Sequence, residues 1–365
     1  MCLRNSAFLM LVALALPAQM PEIPLDARTA FRVVVPGDSP VTLVNGDWGS
    51  SKATARGGAL QVDVRGVLQL KNSGTRRVRG VTLFVIAQEV TPGGKASVTV
   101  PSLDVEPGET FPIRVDLRLM RPLVAVPGAI VEVSIDGVLF DDLGFYGPNR
   151  INSRRAMTAW ELEARRDRKY FLAVLDRSGP ESLRREMVST LARLSDQPRI
   201  EMQTARLGRM TNQPVGSERQ MEFAFLQLPE APVDLVSGFV RVAGSEARMP
   251  RIEVRNLSPR TIRSLEVGWL LKDDQGKQYY AGEMPAEIHL AAGEKSELVK
   301  DAVLRFSKPI AGLSAFVSNV EFADGSLWVP QRAAVLPVSP EEQRLADLYR
   351  RKGLDAVQTE LRRLR

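Results

Sequence analysis

The feature that most constrains this 365-residue chain is that it matches itself. Phe31-Arg-Val-Val-Val-Pro36 with Pro40-Val-Thr-Leu-Val-Asn-Gly46 lines up with Phe223-Ala-Phe-Leu-Gln-Leu-Pro229 and Pro232-Val-Asp-Leu-Val-Ser-Gly238. Leu68-Gln-Leu-Lys-Asn72 and Val78-Arg-Gly-Val-Thr-Leu-Phe-Val85 line up with Ile252-Glu-Val-Arg-Asn256 and Ile262-Arg-Ser-Leu-Glu-Val-Gly-Trp269. Leu103 to Glu109 follows Ile288 to Glu294, and Val138-Leu-Phe-Asp-Asp142 with Pro148 follows Val320-Glu-Phe-Ala-Asp324 with Pro330. Collinear blocks of this kind imply a duplicated segment, and so a fold built twice.

The blocks have the period of strands. Leu60, Val62 and Val64 alternate with polar neighbours, as do Val81, Leu83 and Val85, and Leu265, Val267, Trp269 and Leu271. This pattern predicts one buried face per strand. Turn residues punctuate the strands at Asn72-Ser-Gly74, Pro92-Gly-Gly94, Glu106-Pro-Gly108, Asp273 to Gly276 and Ala292-Gly293. Short antiparallel strands with one apolar face cover it with a second sheet, which predicts sandwiches.

Helical spacing follows each set of strands. Leu183, Met187, Leu191 and Leu194 form one apolar stripe, and Leu354, Val357, Leu361 and Leu364 another. Ser178-Gly-Pro-Glu181 and Ser339-Pro-Glu-Glu342 both read as N-caps. A longer arm, Arg154 to Asp176, carries Met157, Trp160, Ala164, Phe171 and Leu175 on one side. The expected fold class is mainly β with helical hairpins: two tandem Ig-like antiparallel β-sandwiches, each followed by a helical pair. The predicted layout is a leader over 1–20, a first sandwich over 31–150, a hairpin over 151–197, a linker over 198–222, a second sandwich over 223–335 and a C-terminal hairpin over 339–365.

Strands ending in Leu-Lys-Asn-Ser-Gly74 or Val-Arg-Asn-Leu-Ser258, a strand such as Val78 to Val85, and a Pro-Gly-Glu turn before Phe111 to Leu117 resemble bacterial immunoglobulin-like modules of the FxLYD and CARDB kind. That resemblance covers about two thirds of the chain and implies adhesion, scaffolding or surface assembly. The hairpins, and Ala292-Gly-Glu294 in place of Pro-Gly-Glu, depart from it.

The N-terminus reads as an export leader. Arg4 precedes an apolar run from Ala7 to Leu16, too short for a membrane span, and Pro17-Ala18 offers a small-residue exit. Cleavage is expected between Leu16 and Pro21, giving a periplasmic or secreted bacterial protein with no transmembrane segment in its mature chain. Cys2, the only cysteine, leaves with the leader, so no disulfide or thiol site is expected; it stands before the apolar run, so no lipid anchor is expected either. The formal net charge of +6 is a mild surplus and does not point to nucleic acid. Its arginines cluster in the predicted helices, among them Arg165, Arg166, Arg168, Arg184 and Arg350, where interspersed acids predict solvated faces.

No residue stands out as catalytic, cofactor-binding or metal-ligating, and no cofactor is expected. His289 is the only histidine and falls on the outward register of a short strand. Asp136, Asp141 and Asp142, like Asp273 and Asp274, lack the spaced loop that calcium requires and are read as turn and edge residues. Arg56-Gly57-Gly58 and Gly93-Gly94 lack the setting of a phosphate loop. Asn72 and Asn256 are read as turn formers, and Trp269 as core. The expected function is a non-enzymatic scaffold or adhesion protein that binds another envelope or secreted protein through sandwich edges or helical arms. A glycan-binding module and a hydrolase with an unrecognised carboxylate site are the alternatives.

Overall fold

The computed structural model describes residues 22–26, 28–123, 129–196, 200–204, 218–300, 302–332 and 337–364. The predicted leader, 1–20, lies outside the described residues. Strands hold 47% and helices 21% of the described residues, which are mainly β with several antiparallel sheets and four helices.

In chain order the first elements are β1 (Glu22–Pro24), β2 (Phe31–Val34), β3 (Val41–Asp47), β4 (Lys52–Arg56), β5 (Ala59–Asn72), β6 (Val78–Ile86), β7 (Lys95–Val100), β8 (Thr110–Pro122), β9 (Val131–Phe140), β10 (Phe145–Tyr146), α1 (Ser153–Ser178) and α2 (Pro180–Ser195). There follow β11 (Glu201–Thr204), β12 (Arg219–Glu222), β13 (Ala224–Phe225), β14 (Val233–Ala243), β15 (Glu246–Asn256), β16 (Ile262–Lys272), β17 (Gln278–Leu290), β18 (Lys295–Val299), β19 (Ala302–Arg305), β20 (Gly312–Phe322), β21 (Leu327–Trp328), α3 (Pro340–Lys352) and α4 (Leu354–Arg363).

Four sheets result. Their orders are β1-β4-β5-β3 with β8 on β5, β10-β9-β6-β7 with β2 on β9, β11-β19-β15-β14-β12 with β18 on β15, and β13-β20-β16-β17 with β21 on β20. The segment read as a linker over 198–222 thus supplies two short strands, β11 and β12. They pair with β19 and β14, covering backbone donors and acceptors that an edge would otherwise expose.

The chain divides into two compact units. One comprises Met1–Thr75, Thr82–Val98 and Val105–Asp136, and the other Arg76–Val81, Thr99–Asp104 and Gly137–Arg365. The division therefore cuts through β6, β7 and β9 instead of falling at 150. Met157 explains this locally: a Cβ added at Gly80 would lie 3.0 Å from its Sδ, and one at Gly137 would lie 3.3 Å from its Cε. These strand ends belong with the helices.

Within the first unit, β5 and β8 pair in unbroken register from Ala59–Pro122 to Lys71–Thr110. Val62, Val64, Leu68 and Leu70 of β5, Ile113, Val115 and Leu119 of β8, Leu83 and Val85 of β6, and Val131 and Val133 of β9 are all buried. Each such side chain contributes roughly 1.5–3 kcal/mol of transfer free energy. Trp48 stacks on Phe31 with centroids 4.4 Å apart, and Gly66 admits its ring, since a Cβ there would approach it to 2.4 Å.

In the second unit one buried cluster draws on both sheets, with Val240, Val254 and Leu304 from one and Leu265, Trp269 and Val320 from the other. Trp269 is core, as its register predicts. The expected one-sided burial fails for β16, which is buried at nearly every position. Its second face is also covered, since Leu270 packs with Phe316 against Leu226, Leu228 and Tyr280 and Arg155 of α1 bonds Ser264 and Glu266.

The helices join one another. Phe171, Leu175, Leu183 and Met187 of α1 and α2 share a core with Leu345, Val357 and Leu361 of α3 and α4. Two separate hairpins become one cluster. Ser339 caps α3 by accepting from the Glu342 N–H, as predicted. Ser178 does not cap α2, because α1 continues through it and turns at Gly179, with φ 80 and ψ 176. Gly353, with φ 82 and ψ −177, makes the same joint between α3 and α4. Among the described residues no helix is long and apolar enough to cross a membrane.

The matched sequence blocks share local geometry. Asn72 and Asn256 are fully buried; their side-chain oxygens accept from Gly74 and Ser258, and their amides donate to Val105 and Leu290. Arg76 lies 3.6 Å from the Phe140 ring centroid and bonds Asp142, whereas Arg260 lies 3.7 Å from Phe322 and bonds Asp324. Register shifts fall between Leu43 and Asn45 of β3 and between Leu235 and Ser237 of β14. Removing a buried amide leaves several backbone groups unsatisfied, each costing about 1–3 kcal/mol. Asn256→Ala is therefore expected to lower stability in urea unfolding by about 3 kcal/mol, while exposed His289→Ala changes it by less than about 0.5 kcal/mol.

Candidate functional site

Charged side chains of α1 sort onto three surfaces. Glu161, Arg165, Arg168, Lys169, Leu172, Ala173, Asp176 and Arg177 recur at helical spacing and line one wall of a groove of about 650 Å³. Arg79 at the start of β6, Asp141 after β9 and Leu364 after α4 complete it. The lining carries five cations against three carboxylates and no aromatic ring. Lys169 and Arg177 are exposed. Arg79 and Arg168 are buried, with side chains 9% and 7% exposed.

Ion pairs around Glu161 hold the Arg79 side of this groove. Glu161 Oε1 accepts from Arg168 Nη2 at 2.7 Å and Arg165 Nε at 3.2 Å, while Arg79 Nε stands 3.9 Å away. Arg79 also donates to Asp104 at 2.6 Å, a carboxylate shared with Arg77 and Arg363. Burial, together with the neighbouring Arg168 and Arg77 cations, lowers Arg79 to about 10 despite the opposing pull of Glu161. Arg79 Nε, Arg168 Nη1 and Glu161 Oε2 are buried without a hydrogen-bond partner.

A second surface of α1 builds the helix cluster. Asp167 accepts from Arg166 and from Ser339 Oγ. Glu342 accepts from Thr190 at 2.6 Å, Arg193 at 3.2 Å and Arg332 at 3.0 Å. Arg344 joins Glu341 to Glu360.

The third surface faces β16, β17 and β20. Arg155 donates to Glu266 at 3.0 Å, and Asn319 donates to the other oxygen of Glu266 at 2.7 Å. Ser318 donates to Glu283. Burial, reinforced by the Glu266 carboxylate, pushes Glu283 up to about 7, and burial beside Glu283, Asp167 and Glu266 pushes Glu163 up to about 8 despite Arg166. This is a constellation that sequence reading missed, because Glu163, Glu266 and Glu283 come from three distant elements.

The residues weighed from sequence are scattered. His289 is exposed on β17, the outward position predicted for it. Asp142 closes its own turn by accepting from the Gly144 N–H, and Asp136 is buried on β9. Asp273 accepts from the backbone of Gln275 and Lys277, but it is also buried against Tyr279 and Lys308; the Lys308 bond, above all, holds it down at about 2. Among the described residues no three His, Cys, Asp or Glu side chains are placed to hold a metal ion. The arginines read as solvated divide instead: Arg168 is buried and Arg166 half-buried, whereas Arg165 is exposed.

No protein-family profile matches this chain, and no curated protein matches it. Among solved structures it is similar to red sea bream transglutaminase at 8% identity and TM-score 0.13, over 78% of this chain and 29% of that one. It is similar to a β-glucosidase from Kluyveromyces marxianus at 10% identity and TM-score 0.17, over 72% of this chain and 45% of that one. A two-domain protein of unknown function from Bacteroides fragilis matches at 6% identity and TM-score 0.12, over 81% of this chain and 93% of that one. The chain spans less than half the length of the first two. Similarities this low carry no functional argument.

Glu163 and Glu283 give the centre a testable pH signature. Both titrate above the usual glutamate value of 4.5, so the folded chain keeps protons that the unfolded chain releases, and stability falls as pH rises from about 4.5 towards 8. Glu163→Gln and Glu283→Gln are expected to raise the thermal midpoint at pH 8 and to leave it nearly unchanged at pH 4. A variant gain that is largest at pH 4 contradicts the assignment.

Proposed function

We propose that this chain is an exported, non-catalytic scaffold that holds another envelope or secreted protein against the α1 groove. The observation that carries the reading is the groove itself: exposed cations Lys169 and Arg177 stand on a helix whose other faces are fixed by buried ion pairs. Such a surface is rigid and charged, which favours recognition by complementarity.

The two β units are read as Ig-like sandwiches descended from one duplicated segment. The buried Asn72 and Asn256, the Arg76–Phe140 and Arg260–Phe322 contacts, and the parallel pairs β2–β9 and β13–β20 support this. Export rests on the leader-like run from Arg4 to Ala18. The Glu266–Glu283 pair is the constellation a hydrolase would use. Its oxygens are instead occupied by Arg155, Asn319 and Ser318, which suits a helix-to-sheet joint.

A photo-crosslinking residue placed at Ala173 should capture one defined partner in the native envelope, and one at Val44 on β3 should not. Lys169→Glu with Arg177→Glu is expected to reduce the Ala173 crosslink at least tenfold with an unchanged thermal midpoint. Capture of the same partner from Val44 alone would move the interface to the strand edge and defeat this reading.

A further inference from the structure

We infer that the α1 groove takes an acidic segment of polypeptide, with a carboxylate seated on Arg79 and Arg168 and further acidic side chains along Lys169 and Arg177. This deepens the scaffold reading and rests on the groove being the binding surface. The first support is charge: Arg79, Arg165, Arg168, Lys169 and Arg177 exceed Asp141, Glu161 and Asp176 in the lining. The second is hydrogen bonding. Arg79 Nε and Arg168 Nη1 are buried donors that make no hydrogen bond, their nearest carboxylates, Glu161 and Glu341, standing 3.9 and 3.6 Å away, and a guanidinium donor finds its strongest partner in a carboxylate at hydrogen-bond distance.

Glu161 Oε2 decides between kinds of anion. It is a buried acceptor with no donor beside those two arginines, so the occupant must present a donor next to its own negative group. A peptide does this, because each acidic residue brings a backbone N–H along with its carboxylate. Inorganic phosphate at neutral pH offers the Glu161 oxygen mostly repulsion. An acidic polysaccharide brings hydroxyl donors, but the lining has no aromatic ring against which a sugar could stack; its apolar contacts are Leu172, Ala173 and Leu364. Length agrees with a peptide. The stripe from Glu161 to Arg177 runs about 24 Å at about 1.5 Å per residue, which an extended segment of about seven residues covers.

The test is fluorescence anisotropy on the full chain with a labelled nonapeptide of alternating glutamate and alanine, its glutamine counterpart, polygalacturonate and inorganic phosphate. The acidic peptide is expected to bind with Kd in the range of about 10–100 μM. That affinity should weaken several-fold between 50 and 200 mM salt, with at least tenfold weaker binding for the glutamine peptide and for Lys169→Glu with Arg177→Glu. The Arg79 Nε–H resonance should move on adding the acidic peptide. Equal binding of the glutamine peptide, preference for polygalacturonate, displacement by equimolar phosphate, or a stationary Arg79 signal overturns the inference. If the acidic peptide fails while the Ala173 crosslink still depends on Lys169 and Arg177, only the ligand class is wrong. If the peptide binds in the groove but the native partner crosslinks from Val44, the ligand chemistry stands and the scaffold interface is elsewhere.

Discussion

The helix cluster of the second unit depends on carboxylates buried among arginines where the helices meet. Glu342 is almost wholly inaccessible yet accepts from Thr190 and Arg193 of α2 and from Arg332 ahead of α3, while its own N–H is capped by Ser339. Asp167 on α1 accepts from that same Ser339. A buried ion is tolerated only when its lone pairs are filled, and removing one partner costs about 3–5 kcal/mol, so these bonds specify which helices must meet. Arg332 also lies over the rings of Tyr170 and Phe171, at 4.4 and 4.7 Å, tying the charged layer to the apolar one. The hairpins are joined through this layer as much as through Phe171, Leu183 and Leu345.

The reliance on arginine follows from the same constraint. Guanidinium spreads its charge and presents donors in a fixed fork, so Arg332 meets both oxygens of Glu342 and Arg344 meets both oxygens of Glu341. A lysine in place of Arg344 would lose this two-point contact with Glu341.

Much of the β architecture was legible because its causes are local. Alternation marked the strands, Asn72 and Asn256 announced their turns, and Ser339 with Glu342 announced a cap, each within a few residues of its partner. The helix cluster was not legible, because Glu342 and Arg193 lie 149 positions apart and Asp167 and Ser339 lie 172 apart. Arg166 and Arg168 look solvated beside local acids; their burial depends on α3, which no local pattern reveals. Likewise β16 alternates in sequence but is covered on both sides, since Leu226 and Leu228 pack on Leu270 and both Arg155 of α1 and Asn319 of β20 bond Glu266. The groove shares this limit: its stripe on α1 is periodic and readable, but Arg79 and Leu364 come from opposite ends of the chain.

The unequal helices explain why a groove exists at all. α1 has 26 residues and α3 only 13, although both end at a glycine joint of nearly identical φ and ψ. The shared C-terminal half of α1, from Asp167 to Leu175, is consumed by the core with α2, α3 and α4. The additional N-terminal turns carry Arg155 to the second-unit sheet and Met157 to Gly80 and Gly137, so α1 is held along its whole length. A helix fixed on two sides can present charges on its third without paying the ordering entropy at the moment of binding. Its N-terminal extension, which has no equivalent in α3, therefore makes the groove a rigid surface.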